Sequence, residues 1–404
     1  MTRKRIYRFF LFQVILIPIA AISQILFVSH LTKTLNISEL KDALYILNLS
    51  IFLIFTDFGT MYNSYRDASA NAKSSAKVKF TIVKKYQRQS LRIAFTNLLI
   101  SALFLFNDKT FLLGVYIAVN AAAIPGLVYL QILRGLGKDA TYLIFYHSSW
   151  PMALLVLLFM HQGNENFGDK GKFLALLPTI SLMIIGYIAK ATCLNFKRLP
   201  EKKEIYFQSN SNRRASPITL LVTGAVALQL DKVVIARYLN LADAESYLFL
   251  GLLMISTLNV IAAIGTKVWG SNLSSRSPKY NFYFKEFILF GFGTGILFYC
   301  SIIFLQKTNY ISIRINLFLL LIMSFTIFFY SLLISFQAFV TFKSLEKIRI
   351  KGNLIQICTI ATISFFLRES ITINSLGLTV LIAVCANLLY LCTYTRSLFK
   401  EERK

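Results

Sequence analysis

The 404-residue chain is 56% hydrophobic, 14% aromatic and only 15% charged, with a mean hydropathy of +0.61. Ordinary soluble domains carry about 25% charged residues, so the composition excludes that class and makes a bilayer the principal solvent. The net charge of +25 does not imply nucleic acid as a partner. Lys and Arg gather in short segments between apolar runs, where they act as topology signals and as contacts for membrane lipids with anionic headgroups.

In chain order, twelve apolar runs follow one another at roughly 9–30, 43–62, 92–106, 111–133, 141–160, 173–195, 217–239, 246–269, 284–305, 315–339, 353–367 and 372–394. They lack strand alternation and are too long for barrel strands, so they predict helices; a hydrocarbon core of ~30 Å needs about 20 such residues. The opening MTRKRIYR-FFLFQVILIPIAA has the form of a signal peptide, but the many spans that follow favour a retained first helix. With the N-terminus inside, the inner segments hold 31 of the 43 Lys and Arg and the outer segments 8. That asymmetry places both termini in the cytoplasm. The longest inner links are 63–92, whose KVKFTIVKKY has the mixture of an interfacial amphipathic segment or of a solvated basic loop, and the basic stretch before Pro217.

The second link divides the chain into an N-terminal six-helix lobe (1–196), a basic cytoplasmic linker (197–216) and a C-terminal six-helix lobe (217–404). A weak internal repeat agrees. Leu35-Asn36-Ile37-Ser38 recurs as Leu239-Asn240-Leu241-Ala242, Tyr45 as Tyr247, Gly59-Thr60 as Gly265-Thr266, and Gln131 as Gln337. Four matches in the same order at nearly one offset predict two parallel repeats, a known transporter plan.

Cys193, Cys300, Cys358, Cys385 and Cys392 lie in or beside apolar runs without zinc spacing and read as packing residues. His30, His147 and His161 share no metal-site spacing and read as incidental. Pro18, Pro125, Pro151 and Pro178 fall within predicted helices and are expected to kink them. No Ser/His/Asp set or carboxylate pair is present, so neither an enzyme nor a cofactor or metal site is expected.

Three stretches carry a family resemblance: FTDFGTMYNSYRDAS (Phe55–Ser69), QILRGLGKDATY (Gln131–Tyr142) and DKVVIARYLNLADAESY (Asp231–Tyr247). Together with the twelve spans they resemble Wzx-type O-antigen and polysaccharide flippases of the multidrug/oligosaccharidyl-lipid/polysaccharide (MOP) exporter superfamily. The resemblance implies an all-α integral membrane protein of the bacterial inner membrane, about twelve transmembrane helices in two parallel six-helix repeats around a central cavity. It implies an undecaprenyl-diphosphate-linked oligosaccharide as substrate, moved by alternating access. A polysaccharide polymerase and a chain-length regulator would be its partners in O-antigen, capsule or exopolysaccharide assembly. A cation-coupled multidrug exporter of the same superfamily is the alternative.

Within that frame, Lys267, following Gly265-Thr266 in the eighth helix, is the sharpest phosphate-binding candidate, against snorkelling to the inner interface. Lys232 and Arg237 are further substrate-binding candidates; five apart on one helix, their side chains diverge. Lys190 reads as an interface anchor, and Arg134, in a glycine-flanked cytoplasmic turn with Lys138, as a topology marker or a point of headgroup contact. Asp57 and Asp231 are the candidates for cation coupling, against a structural ion pair such as Asp57 with Arg66.

Overall fold

A computed structural model describes residues 3–49, 57, 60–71, 75–106, 111–163, 168–193, 217–238, 244–258, 261, 280–311, 313–342 and 345–401. Among them there is no strand; the elements are helices with short connections. The expected all-α class is therefore found.

Two compact units form. One comprises residues 1–30 and 49–213, the other residues 31–48 and 214–404. The first unit contains most of α1 (Arg3–Thr34), then α3 (Thr60–Ala70), α4 (Ala76–Leu105), α5 (Phe111–Gly135), α6 (Asp139–His147), α7 (Ser149–Gly163) and α8 (Leu177–Cys193). The second contains α2 (Ile37–Leu49), α9 (Pro217–Tyr238), α10 (Ala244–Leu258), α11 (Tyr280–Lys307), α12 (Leu317–Phe342), α13 (Glu346–Phe366) and α14 (Ile373–Glu401).

Six helical stretches are long and apolar enough to cross a bilayer: Phe111–Gly135, Thr141–His161, Phe173–Ala191, Ile288–Lys307, Leu317–Gln337 and Ile373–Thr395. They fall on six of the expected runs. The same packing recurs in each unit. In the first, α5 lies against α4 and α8, and α8 against α7; in the second, α12 lies against α11 and α14, and α14 against α13. Gln131 and Gln337 occupy matching helices and do matching work. The Gln131 amide donates to the Tyr142 hydroxyl at 3.5 Å and that of Gln337 to Asn353 Oδ1 at 3.1 Å.

Two expectations change. KVKFTIVKKY is neither a separate interfacial segment nor a loop: it is the first turns of α4. Its Ile82, Val83 and Tyr86 are buried against Ile124, Val128, Tyr129 and Ile132 of α5. The helix, about 45 Å long at 1.5 Å per residue, outruns the hydrocarbon. Its exposed stripe therefore turns from Lys85, Arg88 and Arg92 to Phe95, Leu99 and Leu103. The prolines also separate. Pro151 breaks its span as expected, since it supplies no N–H to the His147 carbonyl one turn back, and α6 and α7 meet at Ser148. Pro178 instead sits in the first turn of α8, after a 3-10 segment at Gly168–Leu176, where no helical hydrogen bond is lost. Pro125 lies inside an unbroken α5.

Helices attract weakly in lipid, so small residues that permit close approach set the contacts. At the α5–α8 crossing, a Cβ on Gly186 would stand 2.8 Å from the backbone of Gly126. Gly186→Val should destabilise the protein in detergent by about 1–3 kcal/mol. Gly293→Ala, where an added Cβ meets nothing within 4 Å, should leave the melting temperature unchanged.

Candidate functional site

The second unit buries an ion pair. α9 is apolar along most of its length, yet Gln229, Asp231 and Lys232 are each 1% exposed. Lys232 Nζ lies 2.6 Å from Asp231 Oδ2 and also donates to the Leu228 carbonyl at 3.3 Å. The Tyr247 hydroxyl of α10 donates to the same Asp231 oxygen at 2.9 Å. Adjacent helical residues project about 100° apart and do not ordinarily face each other. The long lysine arm closes that angle here, and it needs space to do so. Gly251 of α10 provides it: a Cβ there would come within 3.1 Å of Lys232 Cε.

Nearby, Asn48 Nδ2 donates to the Leu44 carbonyl at 2.8 Å and to the Leu248 carbonyl at 3.1 Å, tying α2 to α10. Among the described residues Asp231 Oδ1, Asn48 Oδ1 and both ends of the Gln229 amide are buried and have no hydrogen-bond partner. The constellation thus holds one compensated charge pair with acceptor atoms to spare.

A seam of amides runs from this pair along α9. Gln356 of α13 donates to the Ala227 carbonyl at 3.0 Å and to the Tyr330 hydroxyl, and it accepts from Asn387 of α14 at 3.0 Å. Asn353 donates to Thr223 Oγ1 at 3.4 Å. Sequence reasoning missed Tyr330, Asn353, Gln356 and Asn387. The available signal was an i, i+3 pair of amides, 353 and 356, on one face of an apolar run.

In the first unit Asp57 is 1% exposed, and its Oδ2 accepts the Met61 backbone N–H in the first turn of α3. Arg66, its suggested ion-pair partner, has Nε 3.6 Å from Asp67, which also receives Lys85 at 3.2 Å. Arg134 Cζ lies 5.1 Å from the Tyr65 ring centroid and 5.2 Å from that of Tyr142. Lys190 Nζ stands 5.1 Å from the Tyr129 ring and 5.9 Å from the Tyr187 ring. Lys267 lies outside the described residues, and the side chain of Arg237, near the end of α9, is outside them as well. His30 and His161, 131 positions apart in sequence, meet edge to face with centroids 4.6 Å apart. Among the described residues no group of three or more His, Cys, Asp or Glu could hold a metal ion.

The buried pair yields a thermodynamic prediction. Removing one partner leaves an uncompensated charge in a low-dielectric interior and costs about 3–5 kcal/mol, whereas removing both leaves none. Lys232→Met and Asp231→Asn should each lower unfolding stability by about that much in detergent denaturation, and the double variant by less than either single one.

Neither a protein-family model nor a curated protein matches the sequence. Solved structures do match, over nearly the whole chain. A MOP-superfamily transporter from Pyrococcus furiosus, described as having a binding pocket of reverse polarity that suggests a different function, aligns with a TM-score of 0.64 at 11% identity. That alignment covers 99% of this chain and 96% of the other. The inward-facing conformation of a multidrug-resistance MATE family transporter of the MOP superfamily aligns with a TM-score of 0.61 at 13% identity, over 95% of each chain. MATE in complex with MaD5 aligns with a TM-score of 0.62 at 13% identity, over 98% of this chain and 96% of that one. The chain therefore has the all-α, multi-pass membrane fold of the MATE transporters of the MOP superfamily.

Proposed function

We propose that this chain is an alternating-access transporter of a bacterial inner membrane, with both termini in the cytoplasm. The observation that carries the proposal is the whole-chain correspondence, 95–99% of this chain against transporters of one superfamily. The basic inner segments support the orientation.

Two of the matched structures are multidrug-resistance transporters, which supports a reading as an exporter of amphipathic organic solutes, with cation entry as the proposed driving force. A carboxylate in a partly dry site can take up a proton or sodium ion. Asp57, buried at the start of α3, and Asp231, beside Lys232, are the carboxylates for that role.

A second reading, a flippase for a lipid-linked oligosaccharide, draws on a different observation. The net charge is +25, and half-buried Arg134 and Lys190 are held on tyrosine rings. Fixed cations of this kind favour an anionic diphosphate over a cationic drug. Lys267 and Arg237 would join Arg134 as its contacts, whereas Lys232, the third candidate, is closed on Asp231 inside the second unit.

Reconstitution into vesicles separates the two. An exporter should move ethidium down an imposed proton or sodium gradient and lose that activity in Asp57→Asn. A flippase should expose a fluorescent isoprenyl diphosphate to an impermeant quencher without needing the gradient to move dye. Vesicles that do neither would contradict the transporter reading.

A further inference from the structure

α5 ends in a site built around one guanidinium. Gly135 has no room for a side chain: a Cβ would stand 2.5 Å from the Tyr65 carbonyl oxygen and 2.7 Å from Ala68 Cβ. That contact presses α3 onto α5 and sets Tyr65 beside Arg134. The chain then turns through Gly137, whose φ of 80° is natural only for glycine. The Lys138 N–H bonds back to the Leu133 carbonyl at 3.0 Å, and α6 returns with Tyr142 on the other flank of Arg134. Tyr142 is itself held, stacked on Tyr146 at 5.5 Å and 19° and bonded by the Gln131 amide.

Three tyrosines and two glycines thus fix a half-buried guanidinium. Among the described residues it meets no carboxylate and makes no hydrogen bond; its partners are the two rings. The contrast with its neighbours is sharp, because Arg66 and Lys85 share Asp67. Ring contacts satisfy a guanidinium without consuming its five N–H donors, which match a phosphate oxygen pair.

We propose that Arg134, framed by Tyr65 and Tyr142, docks the phosphate group of a lipid headgroup at this end of the first unit. The proposal rests on the transporter reading and on the orientation that places this end in the cytoplasm. It deepens that reading, in which Arg134 is already one contact among several, by making the ring-framed guanidinium the place where an anionic lipid engages the first unit. The phosphate could belong to an isoprenyl diphosphate substrate or to a bulk anionic phospholipid.

The test is direct binding by the purified full chain in neutral detergent, read by native mass spectrometry. The probes are farnesyl diphosphate, dioleoylphosphatidylglycerol and, as an uncharged control, diolein. Arg134→Gln should weaken at least one phosphate lipid about tenfold or more, the scale of a lost charge-assisted contact, with diolein unaffected. Loss confined to farnesyl diphosphate assigns the site to a diphosphate substrate, and loss of both assigns it to lipid phosphate in general. Arg134→Lys keeps the charge but loses the fork, should give an intermediate loss, and decides the matter if the glutamine variant does not fold. Arg368→Gln, beside Phe365 and Glu369, should bind as the wild type does. Unchanged affinity for both phosphate lipids in the Arg134 variants would overturn the proposal. Binding in micelles does not require transport, so a chain that binds but moves nothing in vesicles would refute the transporter reading alone.

Discussion

A hydrocarbon core contains no water to hydrogen-bond a stray polar group, and that constraint governs every polar residue in this molecule. An isolated charge at membrane depth costs about 2.5–3.5 kcal/mol on insertion scales. The second unit accommodates two such charges by placing them 2.6 Å apart and adding the Tyr247 hydroxyl to the same carboxylate. The pair is neutral as a whole, and Gly251 on α10 makes the necessary room. Around it the amides of Asn48, Asn353, Gln356 and Asn387 bond across helices, so that α2 is tied to α10 and α9 is tied through α13 to α14. Directional bonds of this kind specify which helix faces meet where apolar packing alone would leave them free to slide.

The first unit solves a related problem differently. Its half-buried cations Arg134 and Lys190 rest on tyrosine rings. An aromatic face offsets part of the lost hydration while leaving the donors available. The second unit thus buries a compensated pair, whereas the first holds two half-buried cations against rings. That asymmetry bears on substrate class, since a presented cation attracts an anion and a compensated pair attracts neither sign.

Much of the fold was legible from composition and run length. Six spans match the observed helices closely because a stretch of about 20 apolar residues has few alternatives to a membrane helix. The repeat, faint in the letters, is plain in the packing of α4, α5, α7 and α8 against that of α11 to α14. Helix extents were less legible where basic turns precede an apolar run, as in α4. Hydropathy records the solvent a residue prefers and says little about whether the helix continues. The site was less legible still. Asp231, Lys232 and Arg134 stood out as charges in apolar surroundings, but their partners did not. Tyr247 is 16 residues from Asp231, Tyr65 is 69 from Arg134, and His30 is 131 from His161. Adjacency misled in the other direction, since neighbours on a helix are not expected to pair as Asp231 and Lys232 do.

These features describe a molecule whose second unit is cross-braced and is expected to hold together as one body; under the proposed transporter function, transport would arise from displacement between units. Spin-label distances in lipid nanodiscs test that claim most directly. Exposed Phe106 and Thr308 would carry labels on different units, and Thr308 with Glu369 would carry them within the second unit, all in a background lacking the five native cysteines. The account predicts a Thr308–Glu369 distribution that stays fixed and a Phe106–Thr308 distribution that shifts between two populations when substrate or a cation gradient is supplied. A Phe106–Thr308 distance that never changes, or a Thr308–Glu369 distance that changes with it, would contradict the account.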